Sequence, residues 1–291
     1  MLYEVRLSIS YSYQSPAAAS RTLLRMTPRD LPDQQVTQSR IYSTPPPSFR
    51  ISGRDFFGNI TTELAHDMLL DRIEFLYEGR VQRYGEETTL DLSGPVSKLK
   101  AEIAASRSIA PDSPHHYLGP STRVPEDPDI AAFARDVTDT DMSTLETLRA
   151  VCKAVHEGFD FDPDATHVGT TPSEAFSARR GVCQDFSHVA ISALRSLGVP
   201  AAYVSGFLRT EPPEGQPRLE GADAMHAWVR AWCGQENGWI EFDPTNDVLV
   251  AGDHITVALG RDYSDVAPVK GTLRTVGDHM TAHAVDVVPI G

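Results

Sequence analysis

A single cysteine stands where a buried helix is predicted to begin, and this feature constrains the fold more than any other. After Cys183, apolar residues recur at helical spacing, at Phe186, Ala190, Ala193, Leu194 and Leu197. Gly198 and Pro200 then follow in the order that ends a helix. Because the free N–H groups and the macrodipole at a helix N-terminus favour an anion, a thiolate would be stabilised there. The pattern predicts a helix-terminal nucleophile, although a lone cysteine at such a place is more often an inert core residue.

Two later segments, 224–232 and 238–246, have the composition of strands, with aromatic and β-branched residues between turn residues. In the first, His226 lies on the face of the strand opposite the apolar residues on either side of it. In the second, Asp243 lies on the face opposite Phe242. Their connection is short enough for a hairpin, which brings His226 and Asp243 onto neighbouring strands. A thiol, an imidazole and a carboxylate supply a nucleophile, a base and a group that orients the base.

On these motifs the sequence resembles the transglutaminase-like superfamily, which has a papain-like fold, and within it the bacterial branch with a β-rich N-terminal region. The stretches that carry the resemblance are 181–188 (GVCQDFSH), 200–207 (PAAYVSGF), 226–229 (HAWV), 242–246 (FDPTN) and 260–269 (GRDYSDVAPV). Two N-terminal stretches, 23–30 (LLRMTPRD) and 55–59 (DFFGN), are also similar to this branch. The resemblance implies a catalytic triad of Cys183, His226 and Asp243, and leaves the acyl-transfer reaction open.

The reaction favoured on this basis is hydrolysis of an amide or peptide bond through a cysteine acyl-enzyme, as in a cysteine peptidase or amidase. An amine acyl transferase that crosslinks proteins is one alternative, and a catalytically silent peptide-binding module is another. Animal transglutaminases complete the oxyanion hole with a tryptophan upstream of the cysteine. In this chain the tryptophans are Trp228, Trp232 and Trp239, all downstream of Cys183, so crosslinking is disfavoured and the second oxyanion donor is unassigned.

The remaining site predictions concern substrate contacts and metals. Trp228 and Gln184 are candidate substrate-binding residues, although core packing is an equally good interpretation of a strand tryptophan. A zinc site built from Cys183, His188 and His226 is the metal alternative, but its spacing does not match known zinc motifs. The sequence also contains no EF-hand pattern for calcium. We therefore expect neither a metal nor another cofactor.

The chain divides into three predicted regions that together make an α+β protein. Residues 1–93 contain successive short strands, with 2–13 and 21–26 as separate ones, and predict a β-sandwich. A proline-rich connector follows over residues 94–128. Residues 129–291 form the predicted papain-like, transglutaminase-like core, in which the Cys183 helix packs on an antiparallel sheet.

Composition limits the partners and the location. The 291 residues carry a net charge of −14, which disfavours nucleic acid and anionic membranes as partners and leaves a peptide or protein substrate as the expectation. No apolar run approaches the length of a membrane span, and the first residues alternate like a strand rather than a signal peptide. With three cysteines no disulfide framework is implied, so a cytoplasmic protein with reduced thiols is expected. The sequence gives no indication of an oligomeric state.

Overall fold

The N-terminal region is built around one unusually long strand. A computed structural model of the chain describes residues 1–84, 90–210 and 223–290. The first five strands are β1 (Leu2–Leu24), β2 (Gln34–Thr44), β3 (Phe49–Arg54), β4 (Ile60–His66) and β5 (Leu70–Arg83). They form an antiparallel sheet in the order β2-β5-β1-β4-β3. The predicted β-rich region is confirmed.

Strand β1 is shared by both halves of this sheet, which is therefore curled. Its first half pairs with β5 from Leu2 to Ser12, and its second half pairs with β4 from Ser20 to Leu24. The sequence predicts two strands here, whereas the structure has one that continues through Pro16. The β1–β5 register shifts between Ser12 and Ala17, and such a bulge lets a proline sit within a strand.

The following region contains several helices, one of which is mostly buried. They are α1 (Val96–Ala105), a 3₁₀ turn (Pro114–Tyr117), α2 (Pro128–Asp136), α3 (Thr144–Gly158), α4 (Pro172–Ala178), α5 (Cys183–Ser196), α6 (Gly234–Asn237) and α7 (Tyr263–Val266). Every residue of α5 from Asp185 to Leu194 is buried. The predicted Cys183 helix is confirmed, and the proline-rich connector contains a ten-residue helix, α1, that the sequence pattern does not indicate.

Helix α5 packs against a five-stranded antiparallel sheet. The strands of this region are β6 (Asp160–Phe161), β7 (Arg180–Gly181), β8 (Ala201–Leu208), β9 (Ala224–Trp232), β10 (Trp239–Asp243), β11 (Val248–Leu249) and β12 (His254–Gly260). The sheet order is β11-β10-β9-β8-β12, and β6 and β7 form a small parallel pair beside it. Strands β9 and β10 are the predicted hairpin, with Trp239 opposite Trp232 and Phe242 opposite Val229. The α+β class, with a helix on an antiparallel sheet, is confirmed.

The last two strands leave this second sheet and return to the first. Strands β13 (Val269–Arg274) and β14 (His279–Pro289) both pair with β1 in antiparallel fashion. The sequence analysis places these residues in the predicted core over 129–291. It gives no sign of their pairing with β1, because the paired segments lie far apart in the chain. Within the described ranges, no helix is long and apolar enough to cross a membrane.

Candidate active site

Cys183 is the first residue of α5, and its neighbours fix the start of that helix. The Asp185 carboxylate accepts the Val182 N–H at 2.9 Å and the Thr166 hydroxyl at 2.7 Å, which caps the helix beside the thiol. Gly181 is required for this approach, because a Cβ there would lie 2.5 Å from an Asp185 carboxylate oxygen. Asp185 is thus a structural cap, and Cys183 is half-buried at the helix end.

The imidazole of His226 lies between the other two predicted triad residues. Its Nε2 is 2.7 Å from Asp243 Oδ2, and the Cys183 thiol is near enough to the ring to contribute to the raised pKa of His226. Because Nε2 faces the carboxylate, Nδ1 is the nitrogen available to the sulfur. The structure therefore brings together Cys183, His226 and Asp243 in the relative order that the sequence predicts.

Asp243 is a fully buried carboxylate that accepts hydrogen bonds on both oxygens. Oδ2 receives His226 Nε2, Asn246 Nδ2 at 2.7 Å and His254 Nε2 at 3.1 Å, and Oδ1 receives the backbone N–H groups of Thr245 and Asn246. Desolvation by burial acts to raise the pKa of Asp243, but the bonds from His226, His254 and Asn246 hold it well below its usual range. These bonds therefore favour the ionised form of Asp243.

The charge of Asp243 sets the protonation of His226. Burial by itself would lower the pKa of the imidazole, but the hydrogen bonds and charges of Asp243 and Cys183 raise it to about 10. A protonated imidazole beside a thiol is the partner that stabilises a thiolate. The local electrostatics thus favour the protonated form of His226.

Trp228 is buried beside the site and is not available to contact substrate, which corrects the substrate-binding prediction. Its side chain has no exposed surface, and its indole N–H donates to a Glu241 carboxylate oxygen at 2.7 Å. The indole ring packs over Gly206 on the neighbouring strand β8, where a Cβ would lie 2.3 Å from the ring. A strand tryptophan with a polar partner for its N–H can be buried whole, and this one is.

Gln184, the other predicted substrate-binding residue, is half-buried beside Cys183 in the first turn of α5. Its amide donates to the Val168 carbonyl at 3.3 Å. The structure places it next to the thiol, and its contact with substrate remains a prediction. The sequence also predicts that the Pro-, Gly- and Glu-rich loop over 210–221 borders an active-site groove, but nearly all of this loop lies outside the described residues.

Two residues of the site, His254 and Asn246, are missed by the sequence analysis. Both hydrogen-bond Asp243, and His254 also packs edge-on against Trp228 with ring centroids 5.2 Å apart. Asn246 follows Asp243 by three residues, so the turn after β10 is a signal for it. His254 comes from the far edge strand β12, and no local pattern connects it with Asp243.

One cluster among the described residues has ligand types that can hold a divalent metal. It consists of His226, Asp243 and His254, whose ligand atoms lie within 4.8 Å of one another. The His–Asp separations are hydrogen-bond lengths, and hydrogen bonding accounts for the arrangement. His188, part of the alternative zinc set, belongs to a different network in which its Nε2 accepts the Tyr263 N–H at 3.2 Å.

The other two cysteines lie in the core. Cys152 is fully buried on α3, and desolvation raises the pKa of its thiol well above the usual value. Cys233 is also buried, and desolvation raises the pKa of its thiol to about 12. All three cysteines are free thiols. Cys152 and Cys233 are therefore both core residues, and Cys183 is the one thiol with access to solvent.

A half-buried thiol at a helix end, an imidazole and a buried carboxylate on an adjacent hairpin define a papain-like protein with a Cys-His-Asp arrangement. The comparisons with known proteins agree with this class. Residues 131–244 match the transglutaminase-like superfamily, and residues 3–82 match the bacterial transglutaminase-like N-terminal region. The chain belongs to the transglutaminase-like superfamily.

Among its relatives is an uncharacterized protein of Mycobacterium tuberculosis that is 33% identical over 292 residues, covering 99% of this chain and 92% of the relative. An uncharacterized protein of Mycobacterium leprae is also 33% identical, over 91% of this chain and 90% of its own length. Among solved structures, a putative cysteine protease from Cytophaga hutchinsonii superposes with a TM-score of 0.74 at 20% identity, covering 99% of this chain and 90% of that one. The last comparison shows a shared fold over the whole chain.

Proposed function

We propose that this chain is a cysteine peptidase or amidase that hydrolyses a peptide or other amide bond through an acyl-enzyme on Cys183. The observation that carries the proposal is the position of His226, which is hydrogen-bonded to Asp243 and interacts electrostatically with the Cys183 thiol. This is the arrangement of nucleophile, base and orienting group that covalent acyl transfer requires.

In the first half-reaction the Cys183 thiolate attacks the carbonyl carbon of the scissile amide. The tetrahedral intermediate collapses with cleavage of the C–N bond, and the proton on His226 Nδ1 passes to the leaving amine. In the second half-reaction a water molecule gives its proton to the same nitrogen and attacks the thioester carbonyl. The C–S bond then breaks, which releases a carboxylic acid and restores the ion pair, while Asp243 holds the ring throughout.

Water is the favoured acceptor because no feature of the described residues identifies an amine site. A transferase would need such a site, because a bound amine must compete with water for attack on the acyl-enzyme. A binding module would not need the buried hydrogen bonds that hold His226. We further propose a peptide or protein substrate, consistent with the acidic charge that disfavours nucleic acid, and a cytoplasmic location, consistent with three free thiols.

Peptide libraries incubated with and without excess primary amine separate these reactions by product mass. Hydrolysis predicts acid products that persist in amine and disappear in Cys183→Ala, while the matched variant Cys152→Ala retains them. Amine adducts that dominate at dilute amine would instead establish a transferase. Unchanged peptides that still bind to Cys183→Ala would establish a binding module and overturn the proposal.

A further inference from the structure

The outer edge of the five-stranded sheet is completed by two side-chain amides from the N-terminal region. Strand β12 is the edge strand, paired with β8 on one side only. On its other side Gln34 donates to the Thr256 carbonyl and accepts the Thr256 N–H, both at 2.8 Å. Asn59 makes the same pair of bonds with Leu259, also both at 2.8 Å.

These two amides act in place of a neighbouring strand. A carboxamide offers one donor and one acceptor in the spacing of a peptide group, so each can satisfy one residue of an edge strand. Gln34 and Asn59 have no exposed surface, so the backbone groups that they pair would be buried without a partner in their absence. The N-terminal region thereby holds β12 at two of its residues, Thr256 and Leu259.

The turn that leads into β12 is held by the same region. The Tyr3 hydroxyl donates to Asp253 Oδ1 at 2.9 Å, and the buried Arg83 guanidinium donates to the Ala251 carbonyl at 3.2 Å. The first residue of β12, His254, thus lies between two sets of contacts with the N-terminal sheet. Its imidazole reaches across the sheet face to Asp243 Oδ2, in contact with Trp228.

We infer that His254 is a positioning residue for the proposed triad, and that the N-terminal sheet acts on the site through it by clamping β12. The inference rests on the proposed function, since it assigns His254 a role in orienting the carboxylate that orients His226. Among the groups facing Asp243, Asn246 lies three residues away in the same turn, whereas His254 connects the carboxylate to a different region of the chain. The N-terminal sheet is therefore part of the working site.

The test measures, by mass spectrometry, how fast iodoacetamide alkylates Cys183 in the full chain. The rate is measured at about pH 6 and at about pH 9; at the higher pH any accessible cysteine is largely thiolate. His254→Leu removes the donor to Asp243, whereas His254→Gln keeps a donor near the position of Nε2. We expect His254→Leu to label roughly tenfold more slowly at the lower pH, with a change of less than about threefold at the higher pH. His254→Gln should recover most of the loss.

Thr256→Val is the matched control, since the Thr256 hydroxyl is buried on the same strand without a hydrogen-bond partner among the described residues. It should leave both rates unchanged. A purely structural effect of His254 would lower both rates together, or would follow Thr256→Val, and either result overturns the inference. So does a normal rate at the lower pH in folded His254→Leu.

The clamp is tested with Gln34→Met, which removes both bonds to Thr256. We expect the same selective loss at the lower pH, and a folded Gln34→Met with normal rates at both would refute the contribution of the N-terminal sheet. Circular dichroism shows whether this variant is folded. If it is unfolded, Gln34→Glu, which keeps the acceptor for the Thr256 N–H, is used in its place, and we expect the same selective loss. His226→Ala separates the two proposals: if it labels as fast as the wild type at the lower pH, the proposed function itself fails.

Discussion

Asp243→Asn is the change that examines the electrostatics of the site most directly. Oδ2 accepts three side-chain donors and Oδ1 accepts two backbone N–H groups. Whichever way the new amide is oriented, its NH₂ group faces buried donors, so the variant loses a charge and gains a clash of donors. Breaking a buried pair in this way costs about 3–5 kcal/mol of unfolding free energy.

The size of that loss should depend on pH, in a direction set by His226. Folding raises the pKa of this imidazole to about 10. Its contribution to stability is therefore complete below about pH 6.5 and is lost as the pH rises towards about 10. The pKa of Asp243 is lowered by folding, so its contribution is complete above about pH 4 and is lost as the pH falls. The stability difference between wild type and Asp243→Asn should be greatest between about pH 4.5 and 6.5 and smaller near pH 10.

Urea denaturation followed by tryptophan fluorescence measures this difference, because all three tryptophans lie on the β9–β10 hairpin. Asp247→Asn is the matched control, since this residue has a positive φ that asparagine also tolerates. It should change stability by less than about 0.5 kcal/mol at every pH. A difference between wild type and Asp243→Asn that stays constant from about pH 5 to 10 would refute the ion-pair reasoning.

Two further predictions concern reactivity and packing. Limiting iodoacetamide at about pH 6.5 should label Cys183 before the two buried cysteines, and His226→Ala should slow that labelling; equal labelling of all three would contradict it. Gly206→Ala should destabilise the fold by about 1–3 kcal/mol in thermal denaturation, because the new Cβ would lie 2.3 Å from the Trp228 ring. Gly119→Ala, where a Cβ meets nothing within 4 Å, is the control and should change stability little.

The parts of the site that depend on local pattern could be predicted from the sequence. The stripe after Cys183 places the thiol at a helix end because helical spacing is visible in the residues themselves. The alternation in 224–232 and 238–246 gives the faces of His226 and Asp243, and the observed register agrees with it. Local periodicity and a short connection give the element and the face of each of these three residues, and the family resemblance implies that they form a triad.

The parts of the site that depend on contacts between distant segments could not be predicted from the sequence. Gln34 is 222 residues from Thr256 in the chain, and an isolated glutamine before a strand has no pattern that indicates an edge partner. His254 is likewise one histidine at a strand start. Helix α1 has only two buried residues, Leu99 and Ile103, too few to form a recognisable apolar stripe in a proline-rich segment.

The two large sheets depend on each other because strands and side chains of one region pair with the other. Strand β14 pairs with β1 from Tyr3 to Tyr13, so the N-terminal sheet is incomplete without residues that follow the core. In return, the core sheet ends in β12, whose outer backbone groups at Thr256 and Leu259 are paired only by Gln34 and Asn59 among the described residues. A fragment that began after the N-terminal strands would expose these groups at an unprotected sheet edge, which favours association with other strands. If His254 positions Asp243 as we infer, the N-terminal sheet acts on the proposed triad indirectly, by holding the strand from which His254 comes.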